Sequence, residues 1–125
     1  MIFDTDIIIW MQRGNEAAAE WIDTAESRFL SIQSYMELIQ NADNKRRLRE
    51  VRDFLSEFNF TILPLTERIG HRASIYVEEY SLSNGIQAGD AIIAATATEN
   101  NLMLASSNAK HFRPIKDLEL KVFRP

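Results

Sequence analysis

Among its 125 residues the chain has no cysteine. That excludes disulfides, thiolate zinc sites and thiol nucleophiles, and is compatible with a reducing compartment. No basic N-terminal stretch leads into a long apolar core and cleavage site, and no apolar run nears the ~20 residues of a membrane span. The expectation is a soluble, cytoplasmic protein without a membrane partner. There is no glycine-rich phosphate loop, no serine with a histidine and an aspartate set around it, no repeat and no low-complexity linker. Positive charge is not in excess either. Fourteen Lys and Arg against 18 Asp and Glu leave a net charge of −4, which argues against a general nucleic-acid binder. A nuclease is not excluded, because acids that hold a metal keep the net charge negative while the loaded site attracts phosphate.

What is present is material for a core: 46% of the residues are hydrophobic, and the length suits a single domain over 1–125. Short apolar strands alternate with amphipathic helices, the signature of a parallel α/β sheet with helices on its faces. Strands are expected at Ile2-Phe3, Arg28 to Ile32, Phe60 to Leu63, Leu102 to Ala105 and Leu120 to Phe123. Helices are expected from Thr5 to about Met11, Glu16 to Ala25, Ser34 to Gln40, Lys45 to Phe58, Thr66 to about Tyr80 and Ala88 to Asn100. Ser83-Asn84-Gly85 reads as a turn, and Ser106 to Pro114 as a loop.

Three acids stand where strands end and helices begin: Asp4, Glu37 in Ser34-Tyr35-Met36-Glu37, and Asp90 in Gly89-Asp90-Ala91. Each lies beside an apolar segment that a folded domain buries, so their charges can come together only if something offsets the repulsion, as a divalent metal would. Each also has a purely structural reading. Asp4 is placed to cap the helix after it. Ser34 and Glu37 fit a capping box. Asp90 suits the positive end of its helix with or without a metal. Asp6 reads either as part of the same cap or as an outer neighbour of the metal.

His71 lies inside a helix with no second histidine at metal spacing, so a surface or partner-packed role fits it better. His111 follows the fourth strand, close to Asn108, and is within reach of an acidic cluster. The basic strip Lys45-Arg46-Arg47-Leu48-Arg49 opens a helix whose apolar face is Leu48, Val51, Phe54 and Leu55. Its charged face is solvated or, if it borders the acids, a place for RNA through Lys45, Arg46 and Arg49.

Assembled, these segments resemble the PIN domain, and in particular the short VapC-type toxins of toxin-antitoxin modules, over almost the whole chain. Asp4-Thr5-Asp6-Ile7 is similar to the family's first acidic motif. Leu30 to Leu38 is similar to the serine-rich segment that carries its second acid. Gln87-Ala88-Gly89-Asp90-Ala91 with its alanine-rich continuation is similar to the third motif. Leu104 to Phe112 resembles the closing strand and loop, with a departure: family members commonly place an aspartate at the position of Asn108 or of His111, and neither is one here.

The resemblance implies a three-layer α/β/α domain with a mainly parallel central sheet. It implies an endoribonuclease dependent on Mg²⁺ or Mn²⁺ that cleaves RNA by a metal-activated water. Asp4, Glu37 and Asp90 would then hold the metal, and Ser34 and Asn108 would complete the catalytic set. Asn108 rather than His111 is expected to face the metal, with His111 packed at the rim. A homodimer and a VapB-like antitoxin are the implied partners, the antitoxin offering an arginine or lysine to the acids and apolar side chains to a groove near Trp10, Met11 and the helix from Leu48 to Phe54. The same residues leave open a PIN-like module that binds RNA or a partner without cutting it. A phosphatase of the haloacid dehalogenase type matches Asp4-Thr5-Asp6 only superficially, since Ile8 stands where that family has Thr or Val. A phospho-receiver lacks its acceptor aspartate after Leu63.

Overall fold

The alternation of side chains along very short strands decides the layering. In the computed structural model, which describes residues 1–125, five strands form one sheet in the order β3-β2-β1-β4-β5, every neighbouring pair parallel. They are β1 (Ile2–Phe3), β2 (Phe29–Ser31), β3 (Thr61–Leu63), β4 (Leu104–Ser106) and β5 (Leu120–Val122). Successive residues point to opposite faces, so Ile2 and Leu104 enter one core while Phe3 and Ala105 enter the other.

Seven helices cover these two faces. On the Phe3 side lie α1 (Thr5–Gln12), α2 (Glu16–Thr24), α3 (Ile32–Asn41) and α4 (Lys45–Glu57), which contribute Ile7, Ile8, Ile22, Leu38 and Leu55. On the Ile2 side lie α5 (Glu67–Asn84), α6 (Ala88–Glu99) and α7 (Ala109–Phe112), with Ile69, Tyr76, Ile93 and Phe112. The buried alanines of α6, Ala91, Ala94, Ala95 and Ala97, let it approach α5 and the sheet closely. The result is the three-layer α/β/α arrangement with an all-parallel sheet.

The chain starts in the middle of this sheet. From β1 it builds to one edge through β2 and β3, then returns to the other side of β1 for β4 and β5. The helix after β1 packs on one face and the helix after β4 on the other, so a crevice opens at the carboxyl ends of these two neighbouring strands. Asp4 is the residue after β1, and Ser106 is the last residue of β4.

The elements differ from the expectation at three places that matter for this crevice. α5 does not stop near Tyr80 but runs to Asn84, and the Ser83-Asn84-Gly85 signal marks its end: Gly85 has φ 70°, the left-handed conformation that glycine adopts without a side-chain penalty. The loop after β4 contains a helical turn, α7, which the fully buried Phe112 anchors in the core. Finally, β2 passes directly into α3. Ser31 is the cap, its Oγ accepting from Ser34 N at 3.0 Å, so Ser34 lies inside the helix and does not cap it in a box with Glu37.

Candidate active site

Asp4 performs two tasks at once. One carboxylate oxygen caps α1 by accepting from Thr5 N at 2.8 Å, and the other accepts from Ser106 Oγ at 2.7 Å. Ser106 Oγ in turn accepts from Asn108 N at 2.9 Å. One residue further along β4's exit, Ser107 donates to Asp6 Oδ2 from its backbone N at 3.0 Å and from its hydroxyl. Two consecutive serines thus grip the two aspartates of the first motif from across the crevice. Along the chain these serines stand out only as part of the longer stretch from Leu104 to Phe112. Their sole local signal was a pair of small hydroxyl residues at a strand's carboxyl end.

Asp4 is 6% exposed. Burial pushes its carboxyl up to about 7, the charge of Asp6 adds to this, and the bonds from Ser106 and Thr5 oppose it; Asp90 contributes further repulsion. Asp6 is raised as well, by burial first, against the bonds from Ser107. Its Oδ1 is buried with no hydrogen-bond partner, as is the hydroxyl of Ser34, which is fully buried. Unpartnered buried oxygens of this kind are rare and call for a reason.

Glu37 reaches the same region from α3. Thr5 Oγ1 donates to its Oε1, and Gln33 Nε2, one turn earlier, donates to its Oε2 at 3.3 Å. It lies against the first turn of α6: a Cβ on Gly89 would stand 3.2 Å from Glu37 Oε2 and 3.1 Å from Gln33 Nε2. The bare backbone of Gly89 is therefore the room that Glu37 occupies, next door to Asp90. Asp90 Oδ2 lies 2.9 Å from His111 Nδ1, and Asn108 Nδ2 lies 2.9 Å from that same nitrogen. This corrects one expectation. His111 does not pack at a rim: it is the side chain on Asp90, and Asn108 stands one contact further away.

The four acids are close enough for Asp4, Asp6 and Asp90 to feel one another's charge, and Glu37 joins them through Thr5 and Gly89. As they stand, no three Asp, Glu or His side chains close around a point where a cation would sit, because Glu37 is turned to Thr5 and Gln33 and Asp90 to His111. Lys45, Arg46 and Arg49 are exposed on the first two turns of α4, where Arg46 also pairs with Glu50 at 3.2 Å. His71 is exposed on α5 and far along the chain from these acids.

This combination defines a class. A profile of the PIN domain matches residues 1–118, and the chain belongs to the PIN-domain family. Within it, the chain is 36% identical over 123 residues to Ribonuclease VapC10 of Mycobacterium tuberculosis, spanning 95% of this chain and 90% of that one. Among solved structures it is similar to a toxin-antitoxin complex from Klebsiella pneumoniae, with a TM-score of 0.80, 28% identity and coverage of 94% of this chain and 93% of the other. It is similar too to VapBC-1 from nontypeable Haemophilus influenzae, with a TM-score of 0.79, 26% identity and 98% of each chain covered.

Proposed function

We propose that this chain is a VapC-type endoribonuclease, the cytoplasmic toxin of a VapBC-type module, working as one domain and dependent on Mg²⁺ or Mn²⁺ held by Asp4, Glu37 and Asp90. One observation carries the reading. At the switch point of a parallel sheet, three separate elements gather carboxylates of which none is paired with a lysine or arginine. Such a set destabilises the fold unless protons or a cation offset it, and Asp4 at about 7 already holds its proton far above the usual range.

The residues fit a hard divalent ion. The donors are carboxylate oxygens, as Mg²⁺ and Mn²⁺ prefer, and Asp6 Oδ1 and Ser34 Oγ are buried polar atoms still without a partner. When bound, such an ion supplies charge compensation for the phosphodiester and for the charge that develops as its bond to the leaving oxygen breaks. The chain's own residues do the rest. Ser106 and Thr5 hold Asp4 and Glu37 in place, and Gly89 leaves Glu37 space beside Asp90. Ser34 has a hydroxyl free to orient a carboxylate, and Asn108 adds polarity to the loop without adding negative charge.

Lys45, Arg46 and Arg49 on α4 supply positive charge for the RNA backbone. Between α1, α3 and α4 runs a groove of about 260 Å³ lined by Ile9, Leu38, Val51 and Phe54, with Arg47 and Glu50 at its edge. It suits the apolar side chains of an antitoxin segment that extends an arginine or lysine to the unpaired acids. Apolar Ile62 and Leu65, 37% and 48% exposed on and just after the edge strand β3, together with Met36, 48% exposed on α3, favour a second copy of the chain as a further partner.

The test is cleavage of structured RNA by the purified chain with Mn²⁺, with EDTA, and with Mn²⁺ restored, the new ends being mapped by sequencing. Cutting at discrete sites only with the metal is the expected result. Retention of RNA without any cutting in Mn²⁺ would instead mean a PIN-like binding module.

A further inference from the structure

We infer that His111 is a positioning residue for Asp90, donating a hydrogen bond from Nδ1 to Asp90 Oδ2 and so fixing the carboxylate in the direction from which it meets a divalent cation. The inference rests on the proposed reading of Asp4, Glu37 and Asp90 as the residues that hold that cation.

Two neighbours make conflicting demands on one ring nitrogen of His111. His111 Nδ1 lies 2.9 Å from Asp90 Oδ2 and 2.9 Å from Asn108 Nδ2. A carboxylate oxygen accepts and an amide nitrogen donates, so one ring nitrogen cannot serve both. A bare Nδ1 would leave two acceptors facing each other across 2.9 Å at Asp90. A hydrogen on Nδ1 satisfies Asp90, and the Asn108 amide, whose oxygen and nitrogen are interchangeable in shape, then turns its oxygen toward the ring. Asn108 Oδ1 then shares that single Nδ1 hydrogen as a second, weaker acceptor, in a three-centre arrangement whose main bond is to Asp90.

The ring is held on every side that matters. Its neighbour Phe112 is fully buried in the core formed by α5 and α6. The chain just before it is tied down at Asn108 N by Ser106 and at Ser107 by Asp6. The turn that ends α5 passes close by, so that a Cβ on Gly85 would lie 4.0 Å from Nε2. Asp90, by contrast, begins a helix whose cap residue Gln87 makes no side-chain bond, and His111 is its one side-chain partner. A fixed imidazole thus constrains an otherwise free carboxylate through one oxygen and leaves the other available.

Hydrogen-bond partners that orient a ligating carboxylate are typically worth ~10–100-fold in metal affinity. Mn²⁺ binding to the full chain, followed by electron paramagnetic resonance, should therefore weaken roughly tenfold in His111→Ala. His111→Asn, which sets a side-chain N–H near the position of Nδ1, should recover most of the loss. His111→Gln, whose N–H falls near Nε2, should not. In the metal-free chain, nitrogen-15 spectra should show the hydrogen on Nδ1.

A His111→Ala variant that binds Mn²⁺ like wild type, a Gln variant that recovers as well as Asn, or a bare Nδ1 would each overturn the role of His111 while leaving the proposed nuclease standing. Wild-type chain that fails to take up Mn²⁺ would overturn the proposed function and this role with it.

Discussion

The helix α6 carries a functional-looking acid near each end, and the two ends are opposites. Asp90 in its first turn stands among Asp4, Asp6 and Glu37, with no lysine or arginine bonded to any of them. Glu99 in its last turn, about 13 Å further along the axis, accepts from Arg72 and, at 3.1 Å, from Arg68. Arg72 also donates to Asp117 at 2.6 Å, and the Tyr76 hydroxyl lies 3.0 Å from the other oxygen of Asp117. The Arg72 guanidinium holds the Glu99 carboxyl below its ordinary range, whereas burial and like charge hold Asp4 above its own. One end is a finished network that ties α5 and α6 to the loop after α7. The other is left electrically incomplete, as folds tend to be where chemistry is done.

The largest effect expected from that contrast is at Asp90. Asp90→Asn keeps the side-chain volume and removes one anion, so RNA cleavage should fall by ~100-fold or more with weaker Mn²⁺ binding, while the melting curve stays cooperative. Unchanged metal affinity together with wild-type cleavage would reduce Asp90 to a helix-start residue.

The second effect is a stability that runs against the usual pH trend. Asp4 has a folded value of about 7 against ~3.9 for an unfolded aspartate, so between these values the folded chain binds more protons. Its contribution is fully present below about pH 4 and is lost as the pH rises through about 7, on the order of a few kcal/mol. Melting in EDTA should therefore drop from pH 5 to pH 8. Asp4→Asn should flatten that slope, leaving the part due to Asp6, which is shifted in the same direction. Saturating Mn²⁺ should raise the melting temperature more at pH 8 than at pH 5, because protons compete for the same oxygens. A melting temperature that is level in EDTA across this range would show that the acids are better solvated than their burial implies.

At the finished end of α6, Arg72→Ala should lower the melting temperature by roughly 2–5 °C without altering cleavage. The effect is modest because the Arg72 side chain is 35% exposed and its partners remain partly solvated. An equal loss of cleavage would mean that the two ends are not independent.

The smallest effect sharpens the site itself. Gly89→Ala improves helix propensity by up to ~1 kcal/mol, yet its Cβ meets Glu37 Oε2 at 3.2 Å. Mn²⁺ affinity should fall by a factor of a few while the melting temperature holds or rises. If affinity is untouched, Glu37 has another place to go.

Much of this was legible along the chain because strand alternation and helix periodicity are local properties. The five strands and six longer helices fall close to where their patterns put them, and so do the junctions that carry Asp4 and Asp90. The capping-box reading of Ser34 and Glu37 fails because Ser31 and Ser34 offer the same hydroxyl three residues apart, and only the course of β2 decides which one leads the helix. α7 was invisible for a different reason. A four-residue helix has too little periodicity to register, and it is held by the burial of Phe112 rather than by propensity.

By itself the sequence determined the layers, since the alternation of Ile2 with Phe3 and of Leu104 with Ala105 sends neighbours to opposite cores whatever else the chain does. It also set Asp4 at a strand-to-helix junction and excluded thiol chemistry by omitting cysteine. Glu37, by contrast, falls inside α3 and Asp90 in the first turn of a helix that follows another helix, so neither stands at a strand end as their patterns suggested. Only the tertiary structure decided who partners whom. Ser106 and Asp4 are 102 positions apart and meet because β1 and β4 pair. His111 rather than Asn108 reaches Asp90 because a buried phenylalanine fixes a single turn of helix beside the end of α5. The elevated carboxyl of Asp4 is likewise a property of the assembled crevice. Desolvation and like charge act through space, and no local pattern of residues records how deeply a side chain will be buried or which charges will be folded against it.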